Sequence, residues 1–386
     1  MAVTDSQSVR DRLDGVVRRY RTPAGLVAGA SGVLIGIYSD DAREVIGLVW
    51  GYLSEPAPLL ACAGLGISAL TWKARGVIER RRESRRRIVS ESMDIRTVDF
   101  DDDLPNDQAV IGRELHYLER VTESSTLVIL LHGLGLDAND FRPYMNIAHE
   151  HTAAITLFGF NTREAGDGRY RPIGLTTHAE LVNGAINSLQ RKYPQKKLAL
   201  VGFSVGADMI LRLGELWQDH PARKPKVAAL LLLDPNINHS SMVVSGGFAQ
   251  MDPEQPLAEL KRISQIPTDL IEFQNISEYL HKISKKDLAQ IQKHAKDWWE
   301  YWEEPGRYDL FLQRLDRLRS LCPRIKIFFS DHYDQYFNEI VAKARQKDMV
   351  RIFDLFREDH FELLNEKFIE KNVSALIAQS RRSQSP

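Results

Sequence analysis

The sequence predicts an α/β fold, a mostly parallel sheet flanked by helices, and three observations carry that prediction. Short apolar runs recur, each the length of a strand buried on both faces: Leu127-Val128-Ile129-Leu130-Leu131, Leu198-Ala199-Leu200-Val201, Val227–Leu233 and Ile325–Phe329, the last interrupted only by Lys326. Segments of helical pattern, such as Thr177–Tyr193, lie between them. Three of the runs end in turns of small or reactive residues: His132-Gly133-Leu134-Gly135, Gly202-Phe203-Ser204-Val205-Gly206 and Ser330-Asp331-His332-Tyr333-Asp334.

Residues 1–21 form a basic segment. The chain from Ala24 to Tyr38 carries no charge, and a second apolar stretch from Val45 to Trp72 is broken only by Glu55. As a helix the second stretch would be about 40 Å long, enough for a bilayer core of about 30 Å. Arg18, Arg19 and Arg21 precede the pair, Lys73, Arg75 and the Arg-rich run 80–87 follow it, and the loop between is mostly acidic. By the positive-inside tendency both ends face the cytoplasm, so residues 22–73 read as a transmembrane helical hairpin with the remaining chain on the cytoplasmic side of a membrane. The competing reading is a buried hairpin in a soluble domain, since Gly and Ala dilute the hydrophobicity and Glu55 is costly in lipid. Residues 74–108 read as a basic juxtamembrane helix and an acidic linker containing Asp101-Asp102-Asp103.

Antiparallel strands are expected around Ile95–Phe100 and Glu114–Glu119. The first part of the core spans 109–235, with a further strand at Ala153–Phe160. Residues 236–321 interrupt the strand–helix alternation with helical patterns at Leu288–Glu300 and Tyr308–Ser320. The core resumes over 322–380, with a last strand at Val350–Phe356 followed by Arg357-Glu358-Asp359-His360-Phe361, and 381–386 is a polar tail.

Strand, sharp turn and helix meet at Ser204, the layout of a nucleophile elbow. Such a turn strains the backbone and needs small residues two before and two after the serine. Gly202 and Gly206 stand there. The turn lifts the hydroxyl above the sheet and aims the following helix's N-terminal N–H groups at the reacting centre.

With the His132-Gly133 turn upstream, acids after the penultimate strand and His360 after the last, the chain over about residues 95–380 resembles the α/β-hydrolase superfamily. The resemblance implies an α/β-hydrolase fold with a helical cap or lid at 236–321, in addition to the N-terminal apolar hairpin. It implies Ser204 as nucleophile, His360 as general base and later acid, and backbone N–H groups of Leu134 and Val205 as oxyanion hole. Three carboxylates compete to orient the histidine. Asp334 matches the usual spacing beyond the strand and is the assignment made; Asp331 is its main rival. Asp234, in Leu233-Asp234-Pro235, occupies a position some members use, but an aspartate before proline more commonly caps or turns the chain. The sequence departs from the family pattern at Ser330-Asp331, where a glycine usually stands. His132 reads as structural, fixing the oxyanion loop.

The chemistry implied is two-step acyl transfer through an acyl-enzyme, with no cofactor and no metal. A chain anchored beside a bilayer meets lipids at high local concentration, so the expected substrates are carboxylic esters with apolar acyl groups. A thioesterase, acyltransferase or peptidase with the same triad is the alternative, and a non-catalytic protein of the same fold is a second. Trp298, Trp299, Tyr301, Trp302, Met242, Phe248, Met251 and Phe273 could line an acyl pocket, or form the insertion's own core or its packing surface on the main domain. Arg163, Arg169 and Arg171 could meet an anionic group or face solvent. A net charge of -1 gives no reason to expect nucleic acid. Cys62 and Cys322 make neither a disulfide framework nor a metal motif.

Overall fold

The computed structural model describes residues 87–94, 114–161 and 172–382, apart from Thr268, Glu303, Pro305 and Pro323. The basic segment, the apolar hairpin at 22–73, most of 74–108 and Arg163, Arg169 and Arg171 lie outside the described residues. Among the described residues, no helix is long and apolar enough to cross a membrane.

The strands are β1 (Val89–Asp94), β2 (Glu114–Arg120), β3 (Thr126–Leu131), β4 (His151–Ile155), β5 (Lys197–Phe203), β6 (Val227–Leu233), β7 (Ile325–Phe329) and β8 (Phe353–Leu355). They form one sheet in the order β1-β2-β4-β3-β5-β6-β7-β8. β2 pairs antiparallel with β1 and β4, and every pairing from β4 to β8 is parallel. Wholly apolar strands belong in such a sheet because both faces are covered, and every residue of β3 is buried. β4 and β5 lie on opposite sides of β3, so the strand order reverses there, and a crevice forms at the carboxyl ends of the strands.

The helices in chain order are α1 (Arg142–Ile147), α2 (Leu175–Lys192), α3 (Val205–Asp219), α4 (Val243–Gln250), α5 (Pro256–Ile263), α6 (Leu270–Ile283), α7 (Leu288–Tyr301), α8 (Asp309–Leu321), α9 (Asp334–Arg345) and α10 (Glu366–Arg382). α3 packs against α2 and α8, and α10 packs on α1 and β6. The expected last strand at Val350–Phe356 is shorter: Val350–Ile352 turn as a 3-10 helix after Asp348, which has φ 54°, and only Phe353–Leu355 pair. β1 lies within the stretch read as helix and linker, just before the strand expected at 95–100, which falls outside the described residues.

Helices α4 to α8 fill the span between β6 and β7. Asp269 caps α6 by accepting from Ile271 and Glu272 N–H, and Asp287 caps α7 likewise. Trp298, Trp302, Phe248, Met242 and Met251 are buried within this insertion and do not line the large cavity described below, so they serve as core; Phe273 is exposed. Cys322 is buried and free.

Candidate active site

Ser204 is the first residue after β5, held at φ 54° in the left-handed region that a side chain rarely adopts. The turn is possible because its flanking residues lack side chains. A Cβ on Gly206 would lie 2.1 Å from the Leu131 carbonyl oxygen, and one on Gly202 would lie 2.4 Å from the Gly206 carbonyl oxygen. Ser204 N–H donates to Leu233 O at 2.7 Å, tying the elbow to the end of β6. Val205 is the first residue of α3, where an N–H has no acceptor within the helix.

The His132-Gly133 turn closes over the elbow. A Cβ on Gly133 would come within 3.2 Å of Ser204 Cβ. His132 is fully buried; its Nδ1 donates to Gly133 O at 2.8 Å and its Nε2 accepts from Leu157 N–H at 2.9 Å. Burial holds its pKa down to about 4, so the ring is a neutral brace, as expected for a structural residue. Behind it lie two more buried imidazoles, His178 and His294, with ring centroids 4.6 Å apart. Burial lowers the pKa of His178 to about 3 and that of His294 well below its ordinary value.

His360 opens a 3-10 turn after β8, and its ring lies 4.5 Å from that of Phe203, the residue before Ser204. Its Nδ1 donates to Asp234 Oδ2 at 2.5 Å, which leaves Nε2 as the unprotonated nitrogen of the neutral ring. Asp234 is the first residue after β6 and also has φ 54°. Its carboxylate is almost fully buried and accepts from Ser330 N–H on Oδ1 and Ser330 Oγ–H on Oδ2, both at 2.7 Å.

No family model and no curated protein matches the sequence. Among solved structures, the chain is similar to an enzyme of recognition and ring-cleavage of the Pseudomonas quinolone signal, in complex with its substrate. That likeness has a TM-score of 0.50 at 14% identity and covers 75% of this chain and 100% of that one. The chain has the α/β-hydrolase fold. It is also similar to a bacterial membrane phospholipase A (TM-score 0.48, 16% identity, 88% of this chain and 99% of that one). A carboxylesterase from the thaumarchaeon Nitrososphaera gargenis has a TM-score of 0.49 at 13% identity, covering 70% of this chain and 96% of that one. At these identities the likeness concerns the fold alone.

Within this α/β-hydrolase fold, the carboxylate placed against His360 is Asp234, not Asp334. Asp334 starts α9 and is exposed, where a carboxylate complements the helix N-terminus, and Asp331 is exposed in the 3-10 turn before it. Among the described residues, neither hydrogen-bonds the ring. The missing glycine at Ser330 has a use: the serine holds Asp234 with both its N–H and its hydroxyl. Tyr333 OH donates to Pro235 O at 2.7 Å, and Asn236 N–H donates to the buried Asp208 at 2.9 Å, so the turn after β6 is tied on several sides. Asp208, Ser330 and Tyr333 went unassigned from the sequence. The signal present was that an aspartate and a serine follow two adjacent apolar runs at their carboxyl ends.

Ser204, His360 and Asp234 line one cavity of about 470 Å³. Leu134 and Phe203 of the core, with Val243, Val244, Ile266, Ile276 and Tyr279 of the insertion, give it an apolar wall. Glu272, Asp331, Asp334 and Asp359 also line it, and among the described residues no Lys or Arg does. Partial desolvation at the cavity wall raises the pKa of Asp331, and the neighbouring charges of Asp359, Glu272 and Asp334 raise it further. Among the described residues, no group of three or more His, Cys, Asp or Glu is arranged to hold a metal ion.

Proposed function

We propose that the protein is a serine hydrolase of carboxylic esters, with Ser204 as nucleophile, His360 as base and Asp234 as the acid that orients it. The observation that carries this reading is the 2.5 Å bond from His360 Nδ1 to Asp234 in the same cavity as the strained Ser204 turn. Ser204 Oγ attacks the ester carbonyl while His360 Nε2 takes its proton. The tetrahedral oxyanion is held by the N–H groups of Leu134 and Val205. Collapse expels the alcohol, which receives the proton from His360, and a water deprotonated by the same nitrogen then hydrolyses the acyl-enzyme. The Asp234 carboxylate stabilises the imidazolium formed in each step.

The cavity supports a choice of substrate. Its apolar wall suits an acyl chain, while four carboxylates besides Asp234, with no lining Lys or Arg among the described residues, disfavour a phosphate or carboxylate on the alcohol side. The substrate class is therefore an ester of an apolar acid with a neutral or positively charged alcohol. The apolar stretches in 22–73 would hold the enzyme at a membrane, with its catalytic part on the cytoplasmic side.

Fluorophosphonate labelling of full-length protein and its Ser204→Ala variant, in separated membrane and soluble fractions, tests both parts. Serine-dependent label in the membrane pellet is expected. Label in the soluble fraction removes the anchor, and absence of label in folded protein removes the hydrolase. Esters of one fatty acid with neutral, cationic and anionic alcohols test the substrate class: an equal or higher kcat/KM on the anionic ester would refute it.

A further inference from the structure

Asp208 is a fully buried carboxylate that the acyl-transfer steps do not use. It sits four residues after Ser204 in α3, hence one turn along on the same face of the helix, and its own N–H donates to Ser204 O at 3.1 Å. Oδ1 accepts from Asn236 N–H at 2.9 Å, and Oδ2 accepts from Asn236 Nδ2 at 2.5 Å. Oδ2 also accepts from Trp302 Nε1, at the end of α7 in the insertion, at 3.4 Å.

Asn236 follows Asp234 by two residues, so the carboxylate grips the strained turn that carries the acid. Asn236 is also placed by its other end, where its Oδ1 faces Ser241 Oγ at 3.5 Å. One side chain thus joins the helix of the nucleophile, the turn of the acid and the insertion that walls the cavity. A buried carboxylate in such a place is retained against its desolvation: burial raises its pKa to about 7 despite the Asn236 and Trp302 donors and the nearby Arg314 charge. A neutral side chain would avoid that penalty. With one oxygen accepting from a backbone N–H and the other from an amide, the carboxyl ties the turn at two points.

The geometry points to Asp208 as a positioning residue that holds the Asp234 turn in register with the Ser204 helix, and through Trp302 links that register to the insertion. The inference rests on the serine-hydrolase reading proposed above. Asp208 acts on the reaction through Asp234 and touches no reacting atom.

The test uses the full chain with p-nitrophenyl butyrate as probe. Asp208→Asn keeps the volume and one acceptor but sets its amide against the Asn236 amide, donor to donor. The expected result is a kcat lower by about tenfold or more with KM changed by less than about threefold, together with a shifted downfield proton resonance for the His360–Asp234 bond. The exchange Asp208→Asn with Asn236→Asp restores an acceptor opposite a donor and is expected to recover most of the loss. A kcat within twofold of the parent, or an unmoved resonance, overturns the inference, as does a swap that restores stability without restoring kcat. Should Asp208→Asn fail to fold, Asn236→Ala removes the 2.5 Å bond and the long contact with Ser241 while keeping the backbone N–H bond to Asp208, and an unchanged kcat in it is equally fatal. Ser204→Ala keeps the two readings separate. If that variant retains activity, the hydrolase assignment fails; if activity depends on Ser204 while Asp208→Asn is silent, only the positioning role fails.

Discussion

Ser204 and Asp234 follow neighbouring parallel strands, and both are held at φ 54°, yet the two turns are secured by opposite means. The Ser204 turn is secured by absence. Gly202 and Gly206 let backbone approach backbone, and the strain is borne by close packing under β3. The Asp234 turn has Leu233 and Pro235 as neighbours and is secured by side chains brought from elsewhere: Ser330, Tyr333 and Asp208. A turn stabilised by its own small residues announces itself in sequence, whereas one stabilised by distant partners does not.

The largest expected effect falls on the chemistry of both turns. Ser204→Ala is expected to lower kcat by about six orders of magnitude, and Asp234→Asn by about four, in steady-state ester hydrolysis. Asp334→Asn, at the position favoured by spacing, is expected to stay within about threefold of the parent. A large loss confined to Asp334→Asn would undo the comparison.

Next comes stability. Gly206→Ala drives a Cβ onto the Leu131 carbonyl and is expected to cost roughly 3 kcal/mol or more in urea unfolding. Pro235→Ala, in the turn held by side chains, is expected to cost only about 1 kcal/mol. Equal costs would mean that the two turns are supported alike.

The smallest effect is a difference in pH slope. His132 and His178, behind the Ser204 turn, are neutral in the folded protein down to about 4 and about 3, while an unfolded histidine takes up its proton near 6.5. Their contribution is present above 6.5 and is lost as pH falls toward 4. Asp208, behind the Asp234 turn, runs the other way: its folded pKa of about 7 lies above the ordinary 3.8, so stability is lost as pH rises between those values. Each group contributes about 1.4 kcal/mol per pH unit inside its window. Urea midpoints measured from pH 4.5 to 7.5 are therefore expected to fall more steeply with acid in Asp208→Asn than in the parent. In His178→Asn they are expected to fall less steeply. Identical slopes would deny the opposition between the two turns.

The same contrast explains what could be read in advance. β3, β5, β6 and β7 fall within two residues of their apolar runs because a strand buried on both faces leaves no ambiguity of period. The elbow was legible because its glycines are local. His360 was legible because one histidine follows the last strand. The partner of that histidine was not, since aspartates end both β6 and the segment after β7, and spacing alone does not say which carboxylate is sheltered. Sheet order and Ser330 decide it, and neither is local in sequence. The aromatic cluster at 298–302 carried no address either: Trp298 served the insertion's own core and Trp302 its packing against α3, while the smaller Val243, Val244 and Ile276 took the cavity wall.

The placement of Asp234 after β6 also divides labour within the molecule. Ser330 alone in the segment that follows β7 is committed to holding Asp234, so its continuation Asp331-His332-Tyr333-Asp334 meets the cavity as wall, with Tyr333 as its one tether to the turn. On the proposed reading, the exposed Asp331 and Asp334 can therefore be exchanged to alter what the cavity admits without touching Ser204, His360 or Asp234, whereas His332 lies within electrostatic reach of both Asp234 and His360. If the proposed chemistry holds, discrimination and reactivity are separately editable in this fold.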